Sequence, residues 1–218
     1  MHLSYYQYFE MFSLLVALLC RRGLNYFGLG ILIPILVLDN VTETLGNNYK
    51  LFTHLFQNHV IFNVYILLST PLFFYLFASM LGGNMRERRR LRWIAVAVEF
   101  LLLINFCFVQ GWREFNTFSA LFISLINIIL SCIVLARLTM RKDDESSLLH
   151  DPSFWINALI LLFNLVQLLI LGLYKYIVTN HLGISNQNLY LAIMPAANAV
   201  YYAGLSGAFL LCQLQKNK

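Results

Sequence analysis

The sequence predicts an all-α membrane protein, a bundle of seven transmembrane helices with the N-terminus outside and the C-terminus in the cytoplasm. Hydrophobic residues make up 60% of the 218 residues and charged residues only 11%, whereas an average soluble domain has roughly 25% charged residues. This composition excludes a water-soluble core. We expect one seven-helix domain over residues 1–218.

Seven apolar stretches are separated by short polar connections. Most are near the ~20 residues that a helix needs to cross the hydrocarbon core. They cover about residues 5–20, 24–44, 55–80, 93–111, 115–138, 153–178 and 188–212. No connection has the roughly 50 residues of a separate folded domain, so any activity must come from the bundle itself.

Twelve of the fifteen Lys and Arg residues lie in every second connection, and this asymmetry predicts the topology. They are Arg21, Arg22, Arg86, Arg88, Arg89, Arg90, Arg92, Arg137, Arg141, Lys142, Lys216 and Lys218. The other three are Lys50, Arg113 and Lys175. Because short loops rich in Lys and Arg stay in the cytoplasm, the N-terminus is expected outside. The net charge of +5 then reflects membrane anchoring and not a nucleic-acid-binding surface.

Ionisable and amide side chains within the apolar stretches are the candidate ligand-binding residues. Asp39 and Glu43 are four residues apart, so they share one helical face near the outer end of the second span. His59 and Asn63 share a face of the third span, and Lys175 lies near the outer end of the sixth. A charged side chain at a helix centre costs roughly 2.5–3.5 kcal/mol against lipid, so we predict that these five residues face a shared pocket. Snorkelling to water, or a structural pair between Lys175 and a carboxylate, is the alternative.

Glu99 is a second kind of candidate, because it is expected about 10 Å above the cytoplasmic end of the fourth span. A carboxyl group at that depth is either protonated, with a raised pKa, or paired with a polar neighbour. We therefore interpret Glu99 as a buried switch.

Other patterns predict helix packing. Polar residues on one face of the fifth span form an interhelical hydrogen-bonding stripe, namely Asn116, Ser124, Asn127 and Ser131. Small residues at intervals of three or four predict a packing face on the seventh span, and they are Ala192, Ala196, Ala199, Ala203 and Gly207. Pro34, Pro71 and Pro195 are expected to kink their helices. Tyrosines near span ends, Tyr6 among them, are expected to anchor the chain at the interface.

Catalytic and cofactor motifs are weak. His54 and His59 are five residues apart and do not match the HxxxH spacing of a helical zinc site. The last span has neither the histidines of seven-span zinc hydrolases of the ceramidase type nor the mid-span lysine of a retinal protein. All four cysteines lie within or at the ends of spans, without a CxxC motif, which argues against a disulfide framework or zinc knuckle. We predict no catalytic residue, no metal site and no cofactor.

Three features together resemble a family of small seven-span bacterial inner-membrane proteins that lie beside sensor histidine kinases. They are the segment Asp151-Pro152-Ser153-Phe154-Trp155-Ile156-Asn157, the acidic pair Asp39 and Glu43, and the Asn116-containing start of the fifth span. The resemblance implies a multi-pass protein of the bacterial plasma membrane with a sensory or accessory role, and a sensor histidine kinase or other membrane protein as partner. It implies no oligomeric state. A small-solute transporter is the alternative reading of the chain, and a membrane-embedded hydrolase is a third.

Overall fold

The structure, a computed structural model, describes the backbone of residues 4–52, 58–82, 85–112, 114–140, 148–179 and 185–217. Side chains are described in the same ranges except at 51–52, 174–179 and 185–191. Throughout these ranges the ordered elements are helices, without a β-strand. The predicted all-α class is confirmed.

The helices follow the predicted apolar stretches closely. They are α1 (Tyr5–Leu19), α2 (Arg21–Tyr26), α3 (Leu32–Asn47), α4 (Tyr49–Phe52), α5 (Asn58–Leu81), α6 (Met85–Ile104), α7 (Thr117–Met140), α8 (Pro152–Thr179) and α9 (Ser185–Lys216). A π-helical turn, Asn105–Val109, extends α6. Four of these helices are long and apolar enough to cross a membrane: α5, α6 with its π-helical turn, α7, and α8 over Pro152–Leu173. The chain is therefore a multi-pass membrane protein, and the full count of seven spans stays a prediction.

The second apolar stretch is not one continuous helix, and in this respect the predicted span 24–44 is wrong. Gly28 adopts a positive φ of 71°, a conformation that glycine tolerates and that commonly ends helices. The Leu29 N–H donates to the carbonyl of Leu24 at 2.8 Å and closes the end of α2. Pro34 consequently lies in the first turn of α3, where its missing N–H has little cost, and not in the middle of a span.

Six helices form a closed ring. Each of α1, α3, α5, α7 and α8 packs against the next, and α9 packs against both α8 and α1. Helix α6 lies outside this ring against α5. Its buried stripe is narrow, consisting of Leu91, Val98 and Leu102, whereas Trp93 and Phe100 are exposed. These apolar exposed faces suit contact with lipid hydrocarbon.

One end of the bundle, which we call the basic end, carries Arg21, the arginines at the start of α6, Arg137 and Lys216. There Arg137 on α7 holds Glu87 on α6 through two hydrogen bonds of 2.8 and 3.0 Å. The half of the ring nearest this end is filled by fully buried apolar side chains, including Leu32, Leu36, Leu76, Phe77, Ile156, Ile160, Leu205 and Phe209. This half is packed mainly by apolar side chains, with buried polar residues such as Asn157 and Ser131 among them.

The small residues of the last helix do not form the predicted packing face. Ala192, Ala196, Ala203 and Gly207 are exposed, and the interior face of α9 is built by Tyr202, Leu205, Ser206, Phe209 and Cys212. The larger side chains face inward because six helices in a ring leave a wide centre to fill.

Candidate functional site

A cavity of about 180 Å³ lies at the centre of the ring, in the half away from the basic end. Helices α3, α5, α7, α8 and α9 contribute to its wall. Three kinds of side chain line it: the carboxylates of Asp39 and Glu43, several aromatic rings, and the amides of Asn127, Asn164, Gln167 and Asn198.

Asp39 connects three helices at the cavity wall. It is only 6% exposed. The Tyr65 hydroxyl of α5 donates to Asp39 Oδ1 at 2.7 Å, and the Tyr202 hydroxyl of α9 donates to Asp39 Oδ2 at 3.3 Å. Both carboxylate oxygens are thus held by neutral donors, and α3, α5 and α9 are tied together at this point.

Glu43 and Glu10 extend the acidic side of the site. The Tyr6 hydroxyl of α1 donates to Glu43 Oε2 at 2.8 Å, and the Asn47 amide donates to the same oxygen at 3.4 Å. Glu10 of α1 is 1% exposed and lies close enough to Asp39 and Glu43 to interact with both electrostatically. Its Oε1 atom has no hydrogen-bond partner among the described residues. We call Glu10, Asp39 and Glu43 the acidic cluster.

Amide side chains continue from the cavity toward the basic end. Asn127 Nδ2 donates to Asn164 Oδ1 at 3.1 Å, and Asn164 Nδ2 donates to the Ile160 carbonyl at 2.8 Å. About one turn further along α7 and two turns further along α8, Asn157 donates to the Ser131 carbonyl at 2.8 Å. Of the predicted polar stripe of the fifth span, the side chain of Asn127 is confirmed as an interhelical contact between α7 and α8. Ser131 contributes only its backbone carbonyl to α8, and the Ser124 hydroxyl donates to the Ala120 carbonyl of its own helix.

Aromatic rings form a second wall. Phe163 of α8 stacks on Tyr201 of α9 with ring centroids 4.7 Å apart. Tyr201 in turn meets Tyr202 edge-on at 5.2 Å, and Tyr202 is the residue that donates to Asp39. The aromatic wall therefore joins the acidic cluster directly.

The structure brings only some of the sequence-predicted site residues to the cavity. Asp39 and Glu43 line it, whereas His59 and Asn63 do not. Asn63 instead donates to the Glu114 carbonyl at 2.7 Å and accepts from the Asn116 N–H at 2.9 Å, so it fixes the chain entering α7. The side chain of Lys175 lies outside the described residues. That the five predicted residues bind one common ligand stays a prediction.

His59 and Glu99 have other surroundings. The His59 ring lies 6.3 Å from the ring of Phe115, centroid to centroid. Glu99 is half-buried on α6, outside the helical ring, and its Oε2 atom finds no hydrogen-bond partner in the described part of the chain. Glu99 is therefore remote from the cavity wall, and its role as a switch stays a prediction.

Tyr65 and Tyr202, the partners of Asp39, are among the site residues that the sequence did not predict. Both lie well inside their helices, seven residues after Asn58 in α5 and near the middle of α9. Tyrosine in membrane helices is enriched at the interfaces, so a tyrosine in the middle of a helix was the sequence signal that could have indicated a site residue. Tyr6, predicted as an interfacial anchor, in addition donates to Glu43.

In the described ranges, no group of three His, Cys, Asp or Glu side chains is arranged to hold a metal. Comparisons of the chain with protein-family models, with curated proteins and with solved structures gave no match.

Proposed function

We propose that this chain is a receptor-like sensor or accessory subunit that binds a small ligand in the central cavity and relays its presence to a membrane partner. In this proposal seven helices cross a bacterial inner membrane, with the N-terminus outside. The partner is a sensor histidine kinase or another membrane protein, as the family resemblance implies.

The observation that carries this proposal is the position of the cavity above a packed apolar core. Leu36, Phe77 and Phe209 are each at most 1% exposed on the side of the basic end. A ligand in the cavity is thereby stopped halfway through the ring. Such a blind cavity favours a binding protein over a conduit.

Helix α7 offers a route for the relay. It carries Ser124 and Asn127 at the cavity wall and Arg137 about 15 Å further along its axis. Arg137 is bound to Glu87 of α6, so a movement of α7 at the cavity would reach α6 at the basic end. A ligand that prefers one arrangement of α7 would shift the population of that arrangement.

Transport of a small solute is the second candidate function. The observation in its favour is the pair Asn157 and Ser131, both fully buried, which extends the polar contacts beyond the cavity toward the basic end. In a transporter this pair would take part in a pathway that opens alternately to the two sides.

A bulky residue in the cavity should distinguish these functions. Ala120 is buried at the cavity wall on α7, so Ala120→Phe should imitate a bound ligand. We expect altered hydrogen–deuterium exchange at the basic ends of α6 and α7, because the added ring displaces α7. Ala136→Phe, on an exposed face of the same helix, should leave that exchange unchanged. Unchanged exchange in Ala120→Phe would contradict the relay. If the native protein takes up a solute into vesicles and Ala120→Phe blocks that uptake, the result would favour transport.

The topology has its own test. In a variant whose four native cysteines are replaced by serine, cysteines at positions 47 and 186 should react with an impermeant thiol reagent added to intact cells. A cysteine at position 146 should react only after the cells are opened, because it follows the cytoplasmic residues Arg141 and Lys142 of the proposed topology. Labelling of Ser146→Cys in intact cells would overturn the N-out arrangement. Residue 146 lies outside the described residues, so this test is independent of the structure.

A further inference from the structure

The acidic cluster lacks a compensating positive charge among the described residues of the cavity wall. Asp39 and Glu43 accept hydrogen bonds from tyrosine hydroxyls and an asparagine amide. These donors are neutral, so they satisfy lone pairs without balancing charge. Glu10 is 1% exposed beside them, and its Oε1 atom is unpartnered in the described structure.

Buried carboxylates of this kind need either protons or a cation. Removing a charged group from water is costly unless it is paired. Asp39 and Glu43 both reach the cavity, so the place from which a cation could approach them is a space of about 180 Å³. The cavity and the acidic cluster are in this way one site.

The remaining walls fit the apolar body of an organic cation. The stacked rings of Phe163 and Tyr201 continue into Tyr202 beside Asp39. Aromatic faces attract ammonium and guanidinium groups and also pack against apolar groups. A bare alkali ion would use neither these rings nor most of the volume.

Other polar groups of the cavity wall can recognise a second part of the ligand. Gln167 and Asn198 line the cavity, and no hydrogen bond from either amide is found within the described residues. Asn164, in contrast, is already bound on both sides, to Asn127 and to the Ile160 carbonyl. Two amides are thus available for a polar substituent.

The volume limits the size of the ligand. A cavity of about 150 Å³ accommodates benzene, so 180 Å³ accommodates a molecule only slightly larger than benzene. This volume matches a small molecule.

We propose that the central cavity binds a small organic cation, a primary amine or guanidinium with a compact apolar body, whose charged group lies against Asp39 and Glu43. This inference rests on the proposed ligand-binding function and names the chemistry of its ligand. Phe163, Tyr201 and Tyr202 enclose the apolar body, and Gln167 and Asn198 contact its other end.

The test uses three probes of nearly equal shape and different charge: benzylamine, benzyl alcohol and benzoate. Binding to the purified full-length protein in lipid nanodiscs is measured by calorimetry and by the shift of the melting temperature. We expect benzylamine to bind and both other probes to bind much more weakly. Asp39→Asn should weaken benzylamine roughly thirtyfold or more, because a buried charge partner is lost.

Matched variants distinguish the local effect of the cavity carboxylates on binding from the electrostatic field of the whole protein. Glu114→Gln removes a carboxylate on an exposed side chain in the segment before α7, outside the cavity wall, and should leave the affinity for benzylamine unchanged. Should Asp39→Asn fail to fold, Glu43→Gln removes the other cavity carboxylate and should also weaken benzylamine. Lys175→Gln should leave the affinity unchanged or raise it.

Four other outcomes would each overturn the inference in a distinct way. Equal binding of benzyl alcohol and benzylamine would leave a ligand pocket without charge selectivity, and the receptor proposal would stand. Preference for benzoate, lost in Lys175→Gln, would make Lys175 the internal counter-ion. Displacement of benzylamine by sodium ions at matched ionic strength would assign the site to an alkali cation. Binding of none of the probes would also refute the inference. Uptake of bound benzylamine into vesicles would refute the sensor function and leave the cation site intact.

Discussion

An Asp39→Leu variant is expected to lose about 2–6 kcal/mol of stability, the largest effect at the candidate site. The substitution leaves the hydroxyls of Tyr65 and Tyr202 buried without their acceptor, and each buried unsatisfied group costs about 1–3 kcal/mol. Because the two tyrosines lie on α5 and α9, the loss should weaken the attachment of α3 both to its neighbour α5 and, across the interior of the ring, to α9. Thermal unfolding in detergent micelles measures the effect.

Removal of the orphaned hydroxyls should recover most of this stability. The triple variant Asp39→Leu, Tyr65→Phe, Tyr202→Phe replaces every partner of the network by an apolar group, a change that is often nearly neutral. Tyr65→Phe alone should cost more than Tyr202→Phe alone, since the hydrogen bonds to Asp39 are 2.7 and 3.3 Å long. Tyr75→Phe, on a tyrosine that is 63% exposed in α5, should have no effect. Additive losses in the triple variant would mean that the three residues do not act as one network.

The secondary structure was largely predictable from hydropathy, because a helix is the only open-ended structure that satisfies its backbone polar groups in lipid. The inward orientation of Asp39 and of the stripe on α7 followed from the cost of polar groups against hydrocarbon. The depth of a residue in the membrane and the helical face on which it lies can both be estimated from its position in the span and the helical period. The break between α2 and α3 was harder to find, since apolar composition continues through Gly28 and a positive φ has no hydropathy signal.

The neighbour relations of the helices were not predictable. Asp39 is 26 residues from Tyr65 and 163 residues from Tyr202 along the chain, and no periodicity links such distant positions. For the same reason Asn63 was interpreted as a ligand-binding residue, although its partners are the backbone atoms before α7. The packing face predicted from the small residues of α9 was wrong, because small side chains permit close helix packing but do not require it. Only the closed ring decides that the tyrosine face of α9 is the interior one.

Among the glycines that the structure describes at helix contacts, Gly23 should be the one whose replacement by alanine is most disruptive. A Cβ at position 23 would lie 2.9 Å from the carbonyl carbon of Cys212 and 2.9 Å from the backbone nitrogen of Gln213. These are backbone atoms of α9, which no rotamer change can move. The Gly23 N–H also donates to the Gln213 side chain at 3.2 Å, so the two helices are already fixed at this approach.

Two opposing effects decide the sign of this change. Alanine favours a helix over glycine by roughly 0.5–1 kcal/mol, whereas overpacking in a close contact costs about 1–3 kcal/mol. We therefore expect a net loss of stability and a lower melting temperature in Gly23→Ala. Gly207→Ala on α9 is the matched control, because its Cβ would meet no atom within 4 Å, and it should be neutral or slightly stabilising. A Gly23→Ala protein as stable as Gly207→Ala would show that α2 does not pack tightly against α9 at the basic end.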